Sequence, residues 1–358
     1  RRFTLTPEDI ERINPNTRTA PIFRSNADAE LTKKMYGSVP VLLDENRGAE
    51  GNPWGISFSA MFHMSNDSEL FRTFDQLHRV GAVRDGVKWQ DEEGADWVPL
   101  YEAKMVHQFD SRWATYQQDG NTVRDCTENE KRKSGYEPLP RYWVPQKEVD
   151  RRLSAKEWNR QWLMGFRDIT NATNERTVIS SAMPRVGVGN NMPLFFTNDS
   201  YPPSLCACLL GNLSSLVFDF FARQKVGGTH LNFFIFQQMP IFPPSTYTAK
   251  MSAFITSRVM ELIYTTSAMK PFAEDLGFSG PPFPWNPNRR ALLRAELDAY
   301  YAMLYGLTRD ELRYILDPAD VKGDDYPSET FRGLKNNDIR NFGEFRTARL
   351  VLHAWDRL

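Results

Sequence analysis

PPSLCACLLGNLSSLVFDFFARQKVGGTHLNFFIFQQMPIFPP, residues 202–244, is the stretch on which the reading of the fold turns. Pro202-Pro203 can open a helix without losing a needed donor, and Leu209, Leu213, Leu216 and Phe220 recur at helical spacing. One helix is therefore expected from Pro203 to Lys225, ended before Gly227-Gly228. The apolar run Asn232 to Phe236 reads as a strand, and Pro243-Pro244 closes the stretch. Upstream, Trp97-Val98-Pro99-Leu100-Tyr101 and Thr177 to Met183 also read as strands, while the signals after Pro244 are helical. The expected fold class is mixed α+β, with short strands and helices followed by a mainly helical C-terminal region.

Polar caps mark the other helices. Thr6-Pro7-Glu8-Asp9 opens a short one, Asn14-Pro15-Asn16-Thr17 breaks it, and Ser25 with Asp28 opens the next, which ends near Gly37 and Pro40. Ser154-Ala155-Lys156-Glu157 reads as a capping box that launches a helix through Trp158, Trp162 and Phe166. Asn286-Pro287 caps a helix carrying Leu293, Leu297, Tyr300, Tyr301 and Leu304 on one face and closed by Gly306; Thr308 and Glu311 start another that Pro318 stops. The Gly/Pro/Asn-rich link Gly48 to Gly55 and the Pro243-Pro244 break divide the chain into a helical linker (1–50), a mixed domain (51–245) and a helical region (246–358).

With 358 residues, 41% of them hydrophobic and 25% charged, the chain can build several modest cores, and no apolar run is long enough to cross a bilayer. No membrane role is expected. Three cysteines form neither a disulfide framework nor a zinc knuckle, which fits a cytoplasmic location, and the five histidines include no pair at the spacing of a helical metal site. No structural metal is expected. The chain starts at Arg1-Arg2 without an initiator Met and reads as a piece of a longer polypeptide.

The net charge of -1 conceals a segregation: Lys131 to Arg185 holds twelve Lys/Arg against six Asp/Glu, and Asp85 to Glu130 eleven acids against four bases. A basic run can displace counterions from nucleic-acid phosphate, or it can simply be solvated surface. Lys131, Arg132, Lys133, Arg151 and Arg152 are the candidates for phosphate. Arg223-Gln224-Lys225, followed by Gly227-Gly228-Thr229-His230-Leu231-Asn232, sets cations and amides beside two glycines, the mixture a loop needs to hold phosphate and read adenine; a polar connection is the plain alternative. Arg185, Asn190 and Asn191 on a Gly-rich loop offer further donors. Trp143, Trp158 and Trp162 can stack bases or fill the core. Asp96 with Glu102-Ala103-Lys104 has the residue types that bind magnesium in many nucleases, against a purely structural role.

The run from Gly211-Asn212-Leu213-Ser214-Ser215-Leu216-Val217-Phe218-Asp219-Phe220 through Gln238-Met239-Pro240-Ile241-Phe242-Pro243-Pro244 resembles the C-terminal recognition region of large adenine-specific DNA methyltransferases, namely type IIG restriction-modification enzymes and related phage-defence methylases. Asn14 to Thr19, Phe62 to Ser68, Tyr101 to Asp110, Leu297 to Pro318 and Phe342 to Trp355 resemble the same family in the same order, so the likeness spans nearly the whole chain. It implies that 51–245 is a DNA target-recognition domain following an upstream methyltransferase domain, with double-stranded DNA as partner and other restriction or defence subunits as further ones. An interaction scaffold within such a complex is the alternative. The Asn/Asp-Pro-Pro-aromatic catalytic motif is absent: Gly280-Pro281-Pro282-Phe283 lacks the side-chain acceptor, and no strand leads into a Gly-rich turn. Catalytic residues and cofactor are therefore expected to be none in this stretch, with S-adenosylmethionine implied for the full-length protein.

Overall fold

A computed structural model of the chain describes residues 4–21, 23–326 and 329–358. The start at Arg1-Arg2 lies outside them. The architecture is mixed α+β: helices and short strands up to residue 196, then helices through the C-terminal region. An antiparallel sheet has the order Ser57–Ser59, Leu194–Phe196, Trp162–Phe166, Ser180–Pro184. A second sheet is built around Asp96–Tyr101, which pairs antiparallel with Lys88–Gln90 and Tyr142–Pro145 and parallel with Gly187–Val188. The chain steps from one sheet to the other at Arg185-Val186. Gly187 is required there, because a Cβ at that position would lie 2.4 Å from a Val144 methyl.

Local chemistry explains most helix starts. Thr6 and Asp9 form a capping box before Pro7–Ile13, Ser25 caps Asn26–Ser38, Asn286 caps Pro287–Leu304, and Thr308 with Glu311 boxes Arg309–Leu316. Three expectations give way. The helix through 203–225 is two, Pro203–Ser214 and Leu216–Lys225, bent by 59°. Ser215 is extended, its hydroxyl accepts from Phe218 N–H at 3.2 Å, and the buried Asp298 carboxylate takes Leu216 N–H at 2.7 Å. Side-chain acceptors thus replace the helical carbonyls at the break.

Ser154 ends the helix Gln146–Ser154 instead of starting one, Glu157 turns left-handed at φ 55°, and Trp162–Phe166 is a strand buried along its whole length. The spacing of four between Trp158, Trp162 and Phe166 satisfies the helical period and also the two-residue period of a strand. The run after Asn232 is the helix Phe233–Gln237, not a strand. Phe236 stacks on Phe166 at 4.2 Å and Phe233 meets Phe58 at 4.9 Å, so positions three apart share one face, which an unbroken apolar run cannot reveal.

One apolar cluster runs from Ile13 to Ala354, with a small second one of Leu77, Ala82, Trp89 and Trp143. Trp54, in the Gly-rich link, is buried and donates to Phe242 O at 3.0 Å. Among the described residues no single helix is long and apolar enough to cross a membrane; the bent pair 203–225 comes closest in composition and is buried in the core.

Candidate nucleic-acid interface

Four loops from separate parts of the chain are laced into one ledge by backbone hydrogen bonds. Asn190 N–H donates to Phe62 O at 2.7 Å, Asp168 N–H to Asn191 O at 3.0 Å, Leu231 N–H to Asp168 O at 2.8 Å and Thr170 N–H to Thr229 O at 3.0 Å. Asn190 Oδ1 also accepts from Met64 N–H. The ledge is pinned to the helix Gln146–Ser154 by Arg152, which holds both carboxylate oxygens of Asp67, donates to Met61 O and lies 4.2 Å from the Phe62 ring centre. Such bidentate pairing fixes orientation. Arg185 reaches the same helix through Asp150 at 2.9 Å.

Opposite the ledge the turn Glu102-Ala103-Lys104 closes a cleft of about 330 Å³ lined by Met64, Glu102, Lys104, Arg167, Ile169 and Asn191. Glu102 Oε1 accepts from the Tyr116 hydroxyl at 2.6 Å, and Lys104 Nζ stands 3.6 Å from Glu102 and 4.8 Å from the Tyr116 ring centre. Burial and then this carboxylate push the Tyr116 phenol up. Arg167 donates to Val106 O at 2.8 Å; burial lowers its pKa to about 10, with Asp125 opposing. At the far end His230 meets Asp168 at 3.2 Å, and Ile169 is 55% exposed. The cleft thus combines two cations, one of them beside a carboxylate, with an amide and an apolar contact.

Of the candidates, Arg152, Asn190, Asn191, Thr229 and His230 come together on this ledge, with Arg151 and Arg185 beside it and Asn232 exposed at the next helix start. Arg132 and Lys133 are exposed on another segment, which Arg112 ties to Thr265 by bonds to Lys131 O, Lys133 O and Thr265 O. Four candidates are corrected. Lys131 is buried in an ion pair with Asp110 at 2.7 Å, between Trp113 and Trp285. Arg223, its side chain 2% exposed, pairs with Asp219 at 2.8 Å and donates to the carbonyls of Ala172, Asn174, Glu175 and Thr330. Gln224 Oε1 accepts from Thr32. The Lys225 ammonium donates to Ile13 O and Gln238 O beneath the Tyr36 ring, and burial holds its pKa well below the usual lysine range. These residues end a buried helix where several loops bring carbonyls inward, and cations satisfy them.

The magnesium reading fails on distance. Asp96 begins the strand that Glu102 follows, and at ~3.3 Å per residue the two carboxylates lie roughly 20 Å apart. Among the described residues no group of three His, Cys, Asp or Glu is placed to hold a metal. Trp143, Trp158 and Trp162 are core residues, 1%, 2% and 0% exposed. The strand-to-helix passages at Pro145-Gln146 and from Phe196 to Pro203 contain no glycine. A larger cavity of about 640 Å³ beside the first two helices is lined by Glu8, Glu11, Asp44 and Glu50 with Arg12 and Arg47, a balance that repels phosphate.

Sequence reading missed Arg167 as a cleft residue and missed a neighbouring set of His107, Arg176, Arg294 and Arg346 altogether. The spacing of Arg290 and Arg294 on one helix was the available signal, masked by the apolar face around it. No model of a known protein family matches the chain, and no curated protein matches it.

Proposed function

We propose that this chain is the DNA-reading part of an adenine-specific, S-adenosylmethionine-dependent DNA methyltransferase of the restriction-modification or phage-defence type, with catalysis in an upstream methyltransferase domain. Double-stranded DNA is the partner of the ledge, and other restriction or defence subunits are partners of the assembly. The observation that carries the reading is the convergence of Lys104, Arg167 and Asn191 on one cleft from three different loops, beside Thr229 and His230. Cations fix a duplex by its phosphates, and an Asn amide matches the donor and acceptor of adenine in the major groove. The ordered family-like segments give the same partner. In space Asn212 joins two of them, donating to the Tyr305 hydroxyl at 2.8 Å and accepting from Phe242 N–H at 3.4 Å.

Titration of duplex DNA against the unaltered chain, Lys104→Glu and Asn191→Ala tests the assignment. Lys104→Glu is expected to weaken binding to all sequences and flatten its salt dependence, whereas Asn191→Ala relaxes base preference by about 1–3 kcal/mol at one position. Equal affinity and equal preference in all three proteins would remove the cleft from the interface.

A further inference from the structure

Behind the cleft, the helices Pro287–Leu304, Arg332–Phe342 and Arg346–Trp355 enclose with Glu175-Arg176 a second cavity of about 190 Å³. It is smaller than the ~300–1,000 Å³ of sites for drug-sized ligands. Arg294 lines it from the middle of its helix, and its guanidinium makes no hydrogen bond or ion pair among the described residues. Arg176, with its side chain 8% exposed, makes only long contacts, 3.7 Å to Asp298 and 3.5 Å to Ser214 O. Arg346 sits at the rim, bonded to Asn288 Oδ1 at 2.9 Å and stacked on Phe342. His107 completes the wall, stacked on Trp113 at 4.2 Å.

Three carboxylates also face this space; apart from the long contact of Asp298 with Arg176, each is engaged by a neutral donor. Asp298 accepts Leu216 N–H, Asp338 accepts Thr347 N–H, and Glu175 accepts the Asn337 amide. No carboxylate lies within ion-pair distance of Arg294. Burial first, and then the cations Arg167, Arg294, Arg176 and Lys131, hold His107 well below its ordinary pKa. The unpaired donors of Arg294, with the weakly engaged ones of Arg176, are therefore available to an anion that enters past Arg346.

We propose that the pocket between His107, Arg176, Arg294 and Arg346 binds a phosphate group. Arg294 and Arg176 donate to its oxygens, Arg346 covers the opening, and neutral His107 can donate one further bond. The phosphate comes either from a free anion or from a DNA strand; the second source alone rests on the proposed function.

The probes are inorganic phosphate and sulfate, titrated against chloride at matched ionic strength while thermal unfolding is followed, and a short DNA duplex in a separate titration. Either oxyanion is expected to raise the melting temperature saturably, and Arg294→Met to weaken that response about tenfold or more. Arg346→Met, at the rim, is expected to weaken it less, and Lys250→Met on the exposed helix 249–263 not at all. Circular dichroism of each variant separates lost binding from lost folding, and Arg346→Met keeps the test open if Arg294→Met fails to fold. If Arg294→Met also weakens duplex binding and lowers its salt slope by about one unit, the bound group is a backbone phosphate; if only the oxyanion response falls, it is a free anion. Absence of duplex binding overturns the proposed function and leaves the oxyanion result standing. The pocket assignment is overturned if neither oxyanion stabilises the protein and Arg294→Met leaves the duplex titration unchanged, or if the oxyanion response survives undiminished in both arginine variants.

Discussion

Asp219 and Arg223 carry opposite charges at the bottom of the core, and every bond they make is internal. Asp219 Oδ1 takes Thr177 N–H at 2.8 Å and Val178 N–H at 2.7 Å, while Oδ2 takes the guanidinium. Arg223→Ala would strand a buried carboxylate and four carbonyls, so it is expected to cost about 3–5 kcal/mol, read by urea denaturation. A loss under about 1 kcal/mol would mean that the arginine does not hold these groups together. Asp298 gives a pH prediction. Burial raises its pKa from the usual 3.8 to about 6, against the pull of Arg176 and Leu216 N–H. The folded state then binds the proton more tightly than the unfolded chain, so this group costs nothing below pH ~4, its cost grows as pH rises, and the full cost is present above about 6. The stability of the protein relative to Asp298→Asn should fall by on the order of 3 kcal/mol between acid and neutral pH; a difference independent of pH would contradict the assignment. None of these three residues betrays its burial in the sequence, because a charged side chain looks the same there whether it meets solvent or the polar groups of distant segments.

At the scale of elements, what was legible is what local chemistry dictates. Thr6, Ser25, Asn286 and Thr308 start helices because a side-chain oxygen satisfies the first free N–H groups, an effect contained within four residues. Ser154 offered the same pattern and failed because Trp162–Phe166 is claimed by strands on both sides, a contact no local pattern contains. The 203–225 break depends on Asp298, far along the chain. Ser215→Ala is expected to cost about 1 kcal/mol by removing the cap of Leu216–Lys225. Glu157, left-handed at φ 55°, should accept glycine with a gain of up to about 1 kcal/mol, since the Cβ strain is relieved. Denaturant midpoints check both, and a destabilised Glu157→Gly would show that its side chain matters more than its backbone.

For the whole molecule, the mixed fold class and the helical C-terminal region followed from periodicity and breakers, while the site was only partly legible. The loop residues Asn190, Asn191, Thr229 and His230 stand out in the sequence because they are polar beside glycines; Arg167 and Arg294 do not, because their place in a cavity wall exists only once separate segments converge. Of the basic run, Arg151 and Arg152 pair with Glu148 and Asp67, so segregated charge in sequence became local ion pairs in space. The basic surface is therefore narrower than the run suggests. The most direct test is to titrate the chain with a pool of random-sequence duplexes at low and moderate salt and to sequence the bound fraction. Binding that weakens with salt and enriches one short motif is the predicted result; no binding at any salt, or binding without enrichment, would contradict a target-recognition role.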